Sequence, residues 1–540
     1  MRACVRACVR VCVRGSVYRT FPFKSHSLHR TQLTSPRADA GLEPFPQHPG
    51  APWNGVGGAT STDGVHFEDQ GVLFRKDPQA IWLGSGSILR NADGEYVMNF
   101  SEDYDCGSPS CQSIFFATSK DLKNWTRLPF APPPAADPNV FKHLNDSDYK
   151  VNGRWDCIAT VPKPGSPGHF IGYWTASPSA GFAGAGVGET TDLTGYHWKA
   201  LPPIRLFSAP STPLEVGSVA LLGGKYFMVF GGGRLYVSDD PLSGFRPDER
   251  NFNFLTDGRG ISFSRIWNIH SEHESGVQSE TVLATHQWND AGCCEWRVCC
   301  PQSVALAPEW NGTGVEYYGT IKQVRLLSDG SPRAVFWPNN EHLKGPAISL
   351  GAPASTRAAP GVLMYNSTTL ELRSALVVEA ILSCEQPQTR GGFVLMGNSS
   401  SNYSTNAFVW DCATQRMSIG PIDLTAGSSS SNFTCGLADD PLQDPGFRLD
   451  GHHLCETFDR NLTEVFPDSG SVHLRLLLRS SEDAFSAMSE FYGNDVLSHP
   501  YSIMLGLGGG HAATLGLIDF SPEPRARLAV SNLSVWKGTL

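Results

Sequence analysis

Charge is scarce in this chain. Asp, Glu, Lys and Arg make up 17% of its 540 residues and leave a formal net charge of −10, which argues against nucleic acid as a partner. No apolar run approaches the ~20 residues of a membrane-spanning helix, so no membrane span is expected. No helical period is sustained long enough for a coiled coil. No continuous apolar core follows the N-terminal charges, so a clean signal peptide is lacking. The Cys293-Cys294 and Cys299-Cys300 doublets lack a standard zinc spacing, and no metal or organic cofactor is expected.

What is abundant is turn chemistry. The 55 Gly and 38 Pro describe β structure rather than helical bundles, and 540 residues call for two or three domains. Sequons stand at Asn124, Asn145, Asn311, Asn366, Asn398, Asn402, Asn432, Asn461 and Asn532. That density points to the secretory pathway, for a secreted or vacuolar protein. Eleven of the 14 Cys lie beyond residue 100, which suits the same compartment, and Cys106 with Cys111 could close a small loop.

Residues 1–50 stand apart. Residues 1–38 hold eight Arg or Lys and no Asp or Glu, which is the composition of an organelle transit peptide. The first fourteen residues nearly follow the cycle Val-Arg-Ala-Cys, which is also the translation of a GTGC repeat. A wrongly placed gene start is the preferred expectation, and the segment is expected to be disordered.

The chain is organised around Leu214–Gly233. It reads as a strand from Val216 to Leu222, a Gly223-Gly224 turn supplying positive φ, and a strand from Lys225 to Phe230. The layout recurs at 82–100, turning at Asp93-Gly94, and at 154–174, turning at Pro164-Gly165. Between these hairpins a second motif repeats. Ala59–Phe67 and Ala117–Trp125 both read Ala-Thr-Ser-x-Asp and end on an aromatic residue. A looser copy runs from Gly188 through Asp192 to Trp198, and a trace from Tyr236 through Asp240 to Phe245. Each Asp is expected to bond its own backbone in a turn. The unit is four strands over about 45–70 residues, the size of a propeller blade. Five such units are expected over residues 51–345. The first lacks its inner hairpin, and the fifth, 259–335, is the least regular. Polar residues at equivalent strand starts would then converge on one pocket.

Two of those residues are carboxylates, Glu215 and Asp156. Such a pair suits a general acid and a stabiliser of positive charge at a sugar carbon, against the plainer use of binding backbone amides at strand ends. Trp82, Ser85 and Ser87 are candidates for sugar stacking and hydroxyl binding, with core packing the alternative for Trp82. His270, His273 and His286 are read as structural or solvent-facing.

With these residues in hand the chain resembles glycoside hydrolase family 32, the invertase, inulinase and levanase group, as a truncated or divergent member. Leu214-Glu215-Val216 with Gly224-Lys225-Tyr226 is similar to the family's acid/base segment. Arg154-Trp155-Asp156-Cys157 resembles its Arg-Asp-Pro motif, Trp82–Ser87 its Trp-Ser-Gly-Ser segment, and Gly58-Ala59-Thr60-Ser61 its Gly-His-Ala-Thr-Ser. The resemblance implies an all-β fold, a five-bladed β-propeller followed by a β-sandwich over residues 346–540. It implies Glu215 as acid/base, Asp156 as transition-state stabiliser, and Arg154, Trp82 and Ser85 against an oligosaccharide or sucrose-like substrate. Trp155 separates Arg154 from Asp156 and puts their side chains on one strand face. No residue matches the family's nucleophilic Asp, which is expected to belong to the absent inner strand of the first unit.

A linker is expected from Gly345 to Pro360, then β runs at 375–382, 392–396, 407–410, 474–478, 490–492 and 529–536. Ser489–Asp495 resembles the family's sandwich segment with its Val-Glu-Phe pattern. The expected activity is hydrolysis of β-fructofuranosyl bonds. The alternatives are a family 43-type hydrolase of arabinan or xylan, and a sugar-binding propeller without catalysis.

Overall fold

The structure is a computed structural model. In the first half it describes residues 55–104, 112–130, 137–142, 148–150, 153–206 without 181 and 183, 216–230, 233–249 and 254–255. In the second it describes 261–271, 279–289, 316–350, 357–359, 362–371, 375–397 without 385, 405–421, 447–449, 452–454, 470–480, 486–504, 512–519 and 529–539. Residues 1–50 and the Cys106, Cys111 and Cys293–Cys300 readings lie outside the described residues. The chain forms two compact units, parting near Pro203; the second also takes in Asp63–Val65 and Phe182–Gly184.

The first unit begins with a two-stranded hairpin, β1 (Gly55–Thr60) and β2 (Glu68–Arg75). A sheet follows in sequence order, β3 (Ala80–Arg90), β4 (Tyr96–Tyr104), β5 (Ser113–Ser119) and β6 (Thr126–Arg127), with β7 (Phe141–Lys142) also pairing β5. The next is another four-stranded meander, β8 (Trp155–Pro162), β9 (Phe170–Ala176), β10 (Gly184–Thr190) and β11 (Trp198–Arg205). Strand β4 is buried on both faces, and its side chains alternate between two cores. Met98 and Phe100 join Val56 and Phe74 of the hairpin, whereas Val97 joins Trp155, Ile158 and Trp174 of the next sheet. Each fully buried side chain of that size contributes about 1.5–3 kcal/mol. β3 and β4 approach so closely at Gly86 that a Cβ there would stand 1.5 Å from the Asn99 carbonyl oxygen.

The second unit opens with a third meander, β12 (Val216–Leu222), β13 (Lys225–Phe230), β14 (Leu235–Ser238) and β15 (Arg246–Pro247). β12 and β13 have the boundaries expected from sequence, and Gly223 and Gly224 turn at φ 58° and 77°. Then come β16 (Ile261–Ser271), β17 (Ser279–Asn289), β18 (Glu316–Tyr318), β19 (Lys322–Leu326) and β20 (Pro332–Phe336). The repeat turns form as expected. Asp63 accepts from the Val65 amide at 2.8 Å, Asp121 from Asn124 at 2.7 Å, Asp192 from Thr194 at 2.9 Å and Asp240 from Leu242 at 2.7 Å.

The sheet of β16–β20 does not end at β20. Val335 pairs with Val496, and the sheet continues through strands Val496–Met504, Ser486–Gly493, Ser471–Ser480, Leu376–Ser383, Ala529–Gly538 and Lys344–Ile348. The expected linker at 345–360 therefore contains strand residues. Lys344–Ile348 takes a sheet edge, where Pro346 costs no ladder bond. A six-stranded sheet, with Arg390–Gly397 and Ala512–Asp519 among its strands, faces this one across a shared core. Leu376, Val378, Ala380 and Leu382 point into that core, while Val377 points the other way, among residues of β12–β20. The Cys384–Cys412 disulfide, not foreseen from sequence, closes over this region.

Two polar networks lie in the second unit. Glu490 and Lys322, 1% and 0% exposed, pair at 2.7 Å. Glu490 also accepts from the Thr320 amide at 2.9 Å, the Thr320 hydroxyl at 2.5 Å and the Tyr492 hydroxyl at 2.7 Å. In the second network Arg475 stacks on Phe336 with 3.5 Å to the ring centre, and it bonds Glu379, Asp495 and Glu341 at 2.5, 2.6 and 2.8 Å. Burial works to raise the Glu379 carboxyl, yet hydrogen bonds from His473, Lys344 and Arg475 outweigh it and hold the group down to about 2. A carboxylate depressed in the folded state stabilises fully above its unfolded value, 4.5 here, and loses that contribution as pH falls toward about 2. Between these two pH values the wild-type melting temperature is expected to drop more steeply than that of Glu379→Gln. Parallel slopes in a pH-resolved melting series would remove the network from the account.

Candidate active site

Asp156 is the second residue of β8 and is 2% exposed. A carboxylate so placed needs partners for its charge, and it has them on both oxygens. Arg154 donates from Nη2 to Oδ2 at 2.6 Å, with its side chain 41% exposed. The Ser101 hydroxyl, on β4 and fully buried, donates to Oδ1. Trp155, between Arg154 and Asp156, points to the opposite face, and this alternation lets the two charged groups meet. Its ring is buried against Phe141, Tyr149 and Trp174 at centroid distances of 5.1, 5.1 and 4.9 Å, and its indole donates to the Phe141 carbonyl at 3.1 Å. The tryptophan that interrupts the motif is thus the anchor of the strand start.

Past Asp156 the strand bulges. The register with β9 slips between Asp156 and Ile158, and Cys157 takes a φ of 35°. Such bulges re-aim the neighbouring side chain. Side chains of the preceding sheet grip the backbone on both sides. The Trp155 amide donates to Gln112 Oε1 at 2.8 Å, and Asn99 takes the Ile158 amide at 2.8 Å while donating to its carbonyl at 3.0 Å. The Ser87 hydroxyl donates to the same carbonyl. Ser87, a sequence candidate for sugar contact, is therefore spent on the backbone of β8. Asn99, Ser101 and Gln112 were not singled out from sequence. The available signal was a pair of polar residues at period 2 inside the apolar run of β4.

Glu102, adjacent to Ser101, faces the other way. It is fully buried and accepts from the Asp77 amide at 2.9 Å, the Tyr104 hydroxyl at 2.9 Å and Arg127 at 2.8 and 2.7 Å. Burial, with Glu102 beside it, pushes the Tyr104 hydroxyl well above its ordinary value. This carboxylate is fully committed to structure.

Trp82 and Ser85 lie on β3, where Trp82 stands opposite Asp103 of β4; their side chains are outside the described residues. Glu215, immediately before β12, lies outside them altogether, as does His273, while His270 and His286 are placed on β16 and β17 by backbone alone. The structure thus brings Arg154 and Asp156 together and commits Ser87 to the β8 backbone. Among the described residues no group of three or more His, Cys, Asp or Glu could hold a metal ion.

Compared by fold, the chain matches a GH32 beta-fructofuranosidase of Bombyx mori with a TM-score of 0.54, over 90% of this chain and 85% of that one, at 12% identity. The exo-inulinase of Aspergillus awamori gives 0.54 over 91% and 92%, at 14% identity. The fold is GH32-like. Fructan 1-exohydrolase IIa of Cichorium intybus matches at 0.52 over 89% of each chain, at 13% identity. By sequence the chain matches no family model and no curated protein. The likeness is one of backbone architecture. Within this fold Arg154 and Asp156 form a Trp-spaced pair on a bulged strand.

Proposed function

We propose that the protein is a glycoside hydrolase acting on β-fructofuranosyl bonds of the sucrose and fructan type. Its frame in this proposal is a five-bladed propeller over residues 51–345 and a β-sandwich over 346–540. Three consecutive four-stranded meanders, the β16–β20 ladder and the β1–β2 hairpin support the first, and two sheets sharing one core support the second. The observation that carries the reading is Asp156, a buried carboxylate at a strand start with each oxygen held by a separate donor. That is an anion prepared to face developing positive charge. Glu215 would give its proton to the leaving oxygen as the bond to the anomeric carbon breaks, and Asp156 would hold the sugar ring as it becomes oxocarbenium-like. Water would then add to that carbon and return a proton to Glu215. Arg154, Trp82 and Ser85 are the proposed substrate contacts. This chemistry calls for no metal or organic cofactor. The exposed sequons at Asn124 and Asn532 support a secretory-pathway location.

A second reading, sugar binding without turnover, is favoured by one observation: no residue of the sequence matches the family's nucleophile motif. Incubation with sucrose, inulin and arabinan separates the readings. Fructose release from the first two and none from arabinan is the expected result. Arabinose release would assign the protein to a different hydrolase, and binding of fructosides without release would leave only the second reading.

A further inference from the structure

We propose that Ser101 is a positioning residue for the Asp156 carboxylate, an inference that rests on the glycoside hydrolase reading above. The grip on β8 has two parts with different explanations. The amide of Asn99 takes both backbone groups of Ile158. An equivalent device joins two other sheets of the fold, where Asn268 accepts from the Leu221 amide at 3.0 Å and donates to its carbonyl at 2.6 Å. No carboxylate takes part there, so an asparagine stitch is explained by sheet docking alone. Ser101 is not. Its hydroxyl is spent on a carboxylate that already has a cation.

Arg154 by itself holds Asp156 loosely, because its side chain is 41% exposed and meets the carboxylate at Oδ2. The terminal torsion of an aspartate is broad, so one half-exposed partner leaves the carboxylate plane free to turn. A second, fully buried donor on Oδ1, from a different strand, fixes that plane. The backbone below is held in a conformation that a non-glycine residue adopts only when its surroundings over-determine it. Cys157 at φ 35° lies between the Gln112 contact to Trp155 and the Asn99 contact to Ile158. The bulge sets where Asp156 starts, and Ser101 sets which way its oxygens face.

The test is steady-state sucrose hydrolysis by the full chain, as wild type and as Ser101→Ala. A misaligned transition-state partner costs turnover rather than ground-state affinity. The expected result is a kcat about 10- to 100-fold lower, with KM within about twofold. Ser101→Cys keeps the side-chain volume and supplies only a weak donor; it is read in the same way and serves if the alanine variant fails to fold. An active wild type with unchanged kcat in these variants, or with a change in KM alone, overturns the role of Ser101 and leaves the hydrolase reading standing. A wild type that releases no fructose overturns that reading, and this inference with it.

Discussion

Glu215→Gln is expected to lower kcat/KM for sucrose by about 10²–10⁴-fold, the usual worth of a positioned general acid. The loss should shrink sharply on an aryl β-fructofuranoside whose nitrophenolate departs without a proton. Asp156→Asn should behave differently. Positive charge develops on the fructosyl ring whatever group leaves, so removing the facing anion is expected to cost about 10²–10³-fold on both substrates. The amide would also turn an N–H toward Ser101 or Arg154, both of which already donate to this position. The contrast between leaving groups separates the two roles, which a simple loss of activity would not. Equal losses for Glu215→Gln on both substrates would strip Glu215 of the acid role. An Asp156→Asn protein with wild-type rates would end the hydrolase proposal.

Glu490→Ala should be the most damaging single change to stability, at about 3–5 kcal/mol. The reason is what it leaves behind. Lys322 is 0% exposed, and burial pulls its ammonium below the ordinary lysine value, with Glu490 opposing that pull. Without the carboxylate, the Lys322 charge, the Thr320 amide and hydroxyl and the Tyr492 hydroxyl all lose an acceptor. In the variant the unfolded chain holds the Lys322 proton more tightly than the folded one, so stability should rise with pH toward the lysine range. Replacing both partners, as Lys322→Met with Glu490→Gln, removes the charge and keeps an acceptor for Thr320 and Tyr492. That double variant should lose less than half as much in urea denaturation. If Glu490→Ala loses under about 1 kcal/mol, the buried pair does not tie the two parts of the sheet together.

The stretch Ser489–Asp495 shows why some motifs read as family resemblance before they read as physics. Its Glu looked like one letter of a pattern. In the structure it accepts four hydrogen bonds from Thr320, Lys322 and Tyr492, across a chain separation of up to 170 residues. The Arg154-Trp155-Asp156 segment was half legible. Strand alternation alone placed Arg154 and Asp156 on one face, and they are paired there at 2.6 Å. The anchor role of Trp155 and the hydroxyl of Ser101 depended on Phe141, Tyr149, Trp174 and β4, which local pattern does not connect to it.

Local chemistry was enough for the turns and strands: Gly223-Gly224 supplies positive φ, the repeat aspartates bond amides two or three residues on, and period-2 burial marks the strands. These depend on neighbours within a few residues, so the amino-acid order specifies them directly. Tertiary structure decided which sheets share a core, that β20 runs on into the C-terminal strands, and which donors hold Asp156. Those outcomes join residues tens to hundreds of positions apart, where many partners are chemically equivalent and only the packed chain selects one.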